Sequence, residues 1–416
     1  MRYVIPRGIV YHKVSEDIIA ALTATYKNLE QESVIKDFEQ KFAKYIGSNY
    51  ALAFPFARTA IYAALKVRNI PKGSEIIMPP ITIKGILDVV LDLDLHPVFV
   101  DIDLDTLCFN PEGINEAISP KTKAIIITYL YGIVPNIEEI LNICNQNNIF
   151  VIEDFSQCLN GTFKNKKAGS YGNVGVYSSS STKTLDTYGG GLLVCNDNKL
   201  YNKLCNFQAS LKTPSRLNLI SKIITDLTRN LATTRSIFHF IVFPLIKIAT
   251  RIKPGSSIKH TGNRDQKMLK SLPAIWFERY TSFQAYQGLK FIDRVNKTDE
   301  ERIKNVGYIK SLISGGKFPK ELSYSKNIYW QFVVFFKNPI AAQRLMQKMG
   351  VDTSTTSLLK ISSLESYPYH GETPNADYLY NHGLFTPSYP SLMDEDLNDI
   401  SKAVNSCIRD ENCNNW

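Results

Sequence analysis

The chain has 416 residues, of which 44% are hydrophobic and 21% charged, the proportions of a globular protein rather than a disordered or collagen-like one. Its length exceeds what one hydrophobic core usually holds, so more than one domain is expected. Lysine and arginine total 48 against 39 acidic residues, a formal charge of +9, but the excess is local. Residues 212–270 hold twelve basic side chains with only Asp226 and Asp265 against them, a net +10 that leaves the rest near −1. That excludes a chain that is basic throughout and directs attention to one segment.

Seven cysteines (Cys108, Cys144, Cys158, Cys195, Cys205, Cys407 and Cys413) have no CxxC spacing. They read as reduced thiols of a cytoplasmic protein, and no zinc or other metal site is expected. The opening MRYVIPRGIVYHK lacks an apolar core of signal-peptide length. No run approaches the roughly 20 apolar residues needed to span a bilayer; the longest candidate, 237–249, is interrupted by His239, Pro244 and Lys247.

In chain order, Val34, Phe38, Phe42, Tyr45 and Ile46 predict a helix over 33–46, closed by Gly47. A strand at 50–54 and a helix at 58–68 follow. Strands at 75–79, 97–103, 123–132 and 149–154 then alternate with helices at 81–93, 111–118 and 137–147. The strands are apolar runs without polar alternation, which predicts a mostly parallel sheet covered by helices on both faces. After residue 270 the pattern changes. A long helix from 280 to 295 runs on towards 309, followed by a strand at 329–336 and helices at 341–349 and 394–408. The expected organisation is an N-terminal arm (1–32), a large α/β domain (33–211), a basic, apolar helical insertion (212–270) and a smaller α+β C-terminal domain (271–416).

The richest chemistry lies between residues 149 and 196. Asp154 ends an apolar strand, the usual place for a functional side chain in an open α/β sheet. Lys183 lies 29 residues later, after a serine run and before Gly189, Gly190 and Gly191. A lysine that can form a Schiff base and a carboxylate for a pyridinium nitrogen are the two protein groups that pyridoxal phosphate (PLP) chemistry needs most. By themselves the two residues read equally well as a solvated loop lysine and a helix cap.

The ordered set Glu153-Asp154, Gln157, Gly169-Ser170, Gly172, Ser178, Lys183 and Gly190-Gly191 resembles the sugar-nucleotide aminotransferases of the DegT/DnrJ/StrS type, which are fold-type I PLP enzymes. The stretches at 61–80, 98–103, 119–132, 284–289 and 386–397 extend the resemblance over most of the chain. It implies that Lys183 bonds the cofactor and shuttles the substrate proton, and that Asp154 pairs with the ring nitrogen. It further implies that Gln157 contacts the ring hydroxyl and that Ser178 holds the phosphate. The family's phosphate turn falls on Phe56, Ala57 and Arg58, where the backbone N–H groups of a helix start suit an anion whatever the side chains. Arg58, standing where a threonine is usual, is a candidate for added phosphate charge.

Four positions depart from the family. Ile83 replaces the aromatic ring stacked on the cofactor, so that contact is aliphatic. Phe277 replaces an asparagine that reaches the partner subunit's cofactor phosphate. Gly189 replaces a glutamate, and residues 353–363 replace the usual substrate loop. The family's sugar dehydratases carry histidine where Lys183 stands, so the resemblance implies transamination: an amino group, probably glutamate's, moved to a keto sugar linked to a nucleotide or a lipid, in cell-surface polysaccharide or glycolipid biosynthesis. A PLP-dependent dehydratase, or a regulatory or scaffold protein without transaminase activity, is the alternative. A homodimer is implied as well.

Within the basic segment, Leu217, Ile220, Ile224, Leu227 and Leu231 form a helical stripe, and residues 236–253 are apolar almost all round and bent by Pro244. Apolar helices rimmed with cations fit peripheral contact with a membrane, here its inner face. Packing on a dimer partner, or over the active-site mouth, fits the same pattern. Nucleic acid is not an expected partner: no recognition motif is present, and Phe238, Phe240 and Phe243 lie inside the apolar run rather than between the charges.

Overall fold

The computed structural model describes residues 3–252, 267–364, 367, 369 and 371–414. Its centre is a seven-stranded sheet. In chain order the strands are β1 (Tyr50–Phe54), β2 (Glu75–Met78), β3 (His96–Phe99), β4 (Thr122–Thr128), β5 (Phe150–Asp154), β6 (Val174–Ser178) and β7 (Gly191–Cys195). Their spatial order is β1-β7-β6-β5-β4-β2-β3. Only β7 runs against its neighbours. Ile76, Ile125, Ile126, Ile127 and Ile152 are wholly buried, as strands covered on both faces must be.

Helices α1 (Val14–Ala24), α2 (Glu32–Ile46), α3 (Ala57–Val67), α4 (Lys84–Asp92), α5 (Pro111–Ala117), α6 (Ile137–Gln146) and α7 (Asn198–Ala209) surround this sheet. Gly47 ends α2 in the left-handed conformation, φ +88°, which costs glycine little. The helix expected from residue 81 starts at Lys84, because Ile81 and Thr82 first pair with Lys360 and Leu359 of the C-terminal part. Similarly, β4 stops at Thr128, and Tyr131 turns at φ +56°.

Helix α1 falls within residues 1–32. It buries Asp17, Ala20 and Ala24 and exposes Ile18, Ile19 and Leu22. Its inner face is set by a polar cluster: Asp17 bonds His12 (3.0 Å), Tyr188 Oη (2.8 Å) and Asn230 Nδ2 (2.7 Å). Asn230 belongs to α8 (Arg216–Thr233), the first helix of the basic segment.

Helix α8 also turns a different face inward from the one its apolar stripe predicts. It buries Leu219, Ile223, Asp226 and Asn230, while Leu217, Ile224 and Leu231 are exposed. The polar cluster wins because burying Asp17 without its hydrogen-bond partners would cost more than leaving three apolar side chains in water. The segment continues through α9 (Arg235–Ile237), a π-turn (Phe238–Val242) and α10 (Phe243–Ile252). The bend, 68°, falls at extended Thr234 and not at Pro244. The wide turn before α10 absorbs the hydrogen bond that proline cannot make. Among the described residues no single helix is long and apolar enough to cross a membrane, although α8 and the following helices pass that test as a bent pair. Lys253, Lys259, Arg264 and Asp265 lie outside the described residues, as does the side chain of Arg251.

Beyond residue 270 come α11 (Ser282–Phe291) and α12 (Val295–Leu312), which together form the long helix expected there, joined by one 3-10 turn. Strands β8 (Phe332–Phe335) and β9 (Gly383–Thr386) pair antiparallel. They pack with α13 (Pro339–Lys348), α14 (Pro374–His382) and α15 (Asp394–Arg409). That core includes Leu130, Tyr131 and Ile133 from the connection after β4, so it is joined to the carboxyl edge of the large sheet.

Candidate active site

Parallel strands deliver their last residues to one edge, and β4, β5 and β6 end there at Thr128, Asp154 and Ser178. Asp154 is buried, and one oxygen accepts from Ser156 N at 3.1 Å. Desolvation pushes its carboxyl above the usual range, against the Ser156 hydrogen bonds and the charge of Lys183. Lys183 is buried too, and desolvation brings its amine down to about 8 although Asp154 pulls it back up. Among the described residues no ion pair closes between them. The Lys183 ammonium lies 4.0 Å from the centre of the Trp330 ring, whose Nε1–H donates to Thr182 O at 3.1 Å. Such a lysine loses its proton far more readily than a free one, with about a tenth of it neutral at pH 7, and the neutral form is the nucleophile.

Two of the motif residues have structural work that the sequence did not reveal. Glu153 accepts from Tyr129 Oη (2.6 Å) and from the N–H groups of Gly169 (2.9 Å), Tyr171 (2.7 Å) and Gly172 (2.5 Å). This explains the glycine-rich turn: the carboxylate clamps it across the end of β5, and a Cβ on Gly175 would lie 2.0 Å from Gly169 O. Gln157 Oε1 accepts from Tyr131 N at 2.6 Å, and Tyr131 Oη lies 2.5 Å from Thr356 Oγ1. Gln157 thereby links the sheet edge to the 353–363 loop.

Ser178 is half-buried, with its Oγ 2.9 Å from Ser180 Oγ and its N–H on Ser156 Oγ. Ala57 opens α3 directly beside Gly191, where a Cβ would lie 2.3 Å from Ala57 N. Phe56 gives that helix no side-chain cap. Arg58 is sandwiched, its guanidinium carbon 4.5 Å from the Phe56 ring centre and 4.2 Å from that of Trp276. Its Nε is buried without a partner. Ile83 stands before the first turn of α4 and is half in solvent. Asp154, Gln157, Ser178 and Lys183 therefore meet at one edge. Ala57 and Arg58 sit two strands further along it, and Ile83 lies beyond β4. Trp330 was missed because it falls within an apolar strand pattern and reads as core. Beside Thr182 and Trp330 a cavity of about 380 Å³ opens, lined also by Arg7, Arg229, Gln331 and Thr386.

A buried lysine and a buried carboxylate at the carboxyl edge of a mostly parallel sheet are the two protein groups that fold-type I PLP-dependent enzymes present. Residues 12–216 match the model of the DegT/DnrJ/EryC1/StrS aminotransferase family. GDP-perosamine synthase of Escherichia coli O157:H7 is 25% identical over 91% of each chain. The sugar aminotransferase CalS13 of Micromonospora echinospora superposes with a TM-score of 0.73, at 19% identity over 97% of this chain and 99% of that one. The E. coli GDP-4-keto-6-deoxy-D-mannose-3-dehydratase, solved with hydrated PLP, gives 0.72 at 20% identity over 97% and 100%. Over residues 12–216 the chain matches that aminotransferase family, and it shares its fold with an enzyme solved with PLP.

The residues present fit that cofactor. Among the described residues Asp154 lacks a cationic hydrogen-bond donor, Lys183 lacks a bonded anion, and Arg58 keeps a buried, orphaned Nε. A ring N–H, an aldehyde and a phosphate complement these three groups.

Proposed function

We propose that the protein moves an amino group from an amino-acid donor, with glutamate as the first candidate, to a keto sugar carried on a nucleotide or lipid. The observation that carries this reading is the Lys183 amine, buried at the sheet edge that also carries Asp154 and brought down to about 8 by that burial. Bound PLP supplies an aldehyde to take up the amino group and a ring that draws electrons from the carbon losing its proton. Asp154 keeps a proton on the ring nitrogen. Ser178 and the first N–H groups of α3 hold the phosphate, and Gln157 orients the ring hydroxyl. Ile83 covers the ring with an aliphatic contact. Lys183, once its amine is free, moves a proton at the substrate carbon, and Trp330 keeps water from it. The cavity beside Trp330 is our choice for the sugar, since Arg229, Gln331 and Thr386 set polar groups for hydroxyls among its apolar walls.

The division into arm, α/β domain, insertion and C-terminal domain drawn from the sequence is retained in this reading. The test is a panel of keto-sugar nucleotides with 15N-glutamate, read by mass spectrometry. A sugar that gains the label supports transamination. A sugar that loses a hydroxyl without gaining nitrogen identifies a dehydratase, and no turnover of any member points to a regulatory role.

A second reading concerns where the enzyme works: in the cytoplasm, as a homodimer peripherally bound to the inner face of the membrane. Phe240, Ile241, Leu245 and Ile248 are all more than half exposed on and beside α10, next to Lys247. This is the pattern of an interfacial helix. We expect co-sedimentation with anionic vesicles, weakened by replacing Leu245 and Ile248 with serine. Equal sedimentation of the two proteins would remove the membrane from this account.

A further inference from the structure

Helix α8 carries Lys222 to the N-terminus of α3. Its ammonium is 4.5 Å from the centre of the Phe56 ring, the same ring that Arg58 covers at 4.5 Å. Two largely desolvated cations thus share one aromatic residue at the start of a helix that has no side-chain cap. The carboxylates whose fields reach them are engaged elsewhere. Asp88 binds Lys84 at 2.7 Å, Asp226 pairs with Arg229 at 3.6 Å, and Glu278 accepts from Ser215 N (3.2 Å) and Asn218 Nδ2 (2.9 Å). Among the described residues neither cation has an ion pair.

Uncompensated charge of this kind is costly unless an anion joins it. Burial lowers both Lys222 and Arg58, and Arg58 lowers Lys222 further. A phosphate bearing about two negative charges would reverse each of these effects. Gly189 makes room for the lysine: at φ +96°, a Cβ there would meet Lys222 Cδ at 3.2 Å and Nζ at 3.4 Å. Phe277, for its part, packs edge-on against Tyr62 at 5.1 Å, while the next residue, Glu278, holds the start of α8.

We propose that Lys222, delivered by the inserted helix of the same chain, joins Arg58 in binding the cofactor phosphate and replaces the contact that the family draws from a partner subunit. Three departures then have one cause. Arg58 and Lys222 supply the charge, Gly189 clears the path for Lys222, and Phe277 no longer needs to reach across an interface. The inserted segment is therefore part of the cofactor site. This rests on the PLP reading of Lys183 and Asp154.

The experiment titrates full-length apo-protein with PLP and with pyridoxal, which lacks the phosphate, following absorbance. In Lys222→Met the dissociation constant for PLP should rise at least about tenfold, the scale of a lost charge-assisted contact, while that for pyridoxal stays unchanged. Lys222→Arg should keep the preference for PLP. Equal weakening toward both ligands, or an unchanged PLP affinity, would overturn the proposal. Wild-type protein that does not prefer PLP to pyridoxal would instead bring down the cofactor reading on which it rests.

Discussion

Lys183→Ala protein is expected to lose essentially all turnover, by about 10⁴-fold or more, together with the visible absorbance of lysine-bound PLP. One amine serves both as the attachment point and as the group that moves the substrate proton, and general acid–base catalysis alone is typically worth about 10²–10⁴-fold. The change should not unfold the protein. Lys183 makes no ion pair among the described residues, and its burial disfavours the charged form, so a small apolar side chain removes a desolvation cost as well as a contact with Trp330. A variant that keeps wild-type absorbance and turnover would show that the nucleophile lies elsewhere.

The second large effect is expected at Asp154. Asp154→Asn retains the shape and the Ser156 contact but removes the charge facing the ring nitrogen, and kcat should fall roughly 10- to 100-fold, the worth of one charge-assisted hydrogen bond. Two further consequences follow from the fields at the site. The Asp154 charge raises Lys183, so in the variant the amine deprotonates below about 8, and the pH at which PLP attachment becomes efficient moves down. Asp154 itself is raised by burial. A carboxyl raised on folding costs nothing below its unfolded value, and the cost is fully present once the pH exceeds its folded value. At neutral pH the wild-type apo-protein carries that cost, so the asparagine variant should melt at the same or a higher temperature. Unchanged kcat, with Lys183 titrating as before, would contradict the pairing.

The large sheet was legible because fully buried strands such as Ile125 to Ile127 leave an unbroken apolar run. Asp154 and Lys183 could be picked out only as part of an ordered set of motif residues. What could not be read was the outcome of long-range polar satisfaction. Helix α1 and helix α8 each turn polar residues inward, because Asp17 bonds His12 nearby, Tyr188 across 171 positions and Asn230 across 213, and an apolar stripe counts none of this. Lys222 lies off that stripe and is carried to the Phe56 ring for the same reason. In the sequence Glu153 is only a motif letter, and Gln157 a contact to the ring hydroxyl. Their carboxylate and amide turned out to fasten the Gly169 turn and Tyr131, which no spacing rule reports.

The most direct test of the central claim is borohydride reduction of the PLP-loaded protein, followed by peptide mass mapping. The phosphopyridoxyl group is predicted on the peptide containing Lys183 and on no other. Its appearance on another lysine, Lys167 or Lys222 for example, or its absence from every peptide, would contradict the assignment.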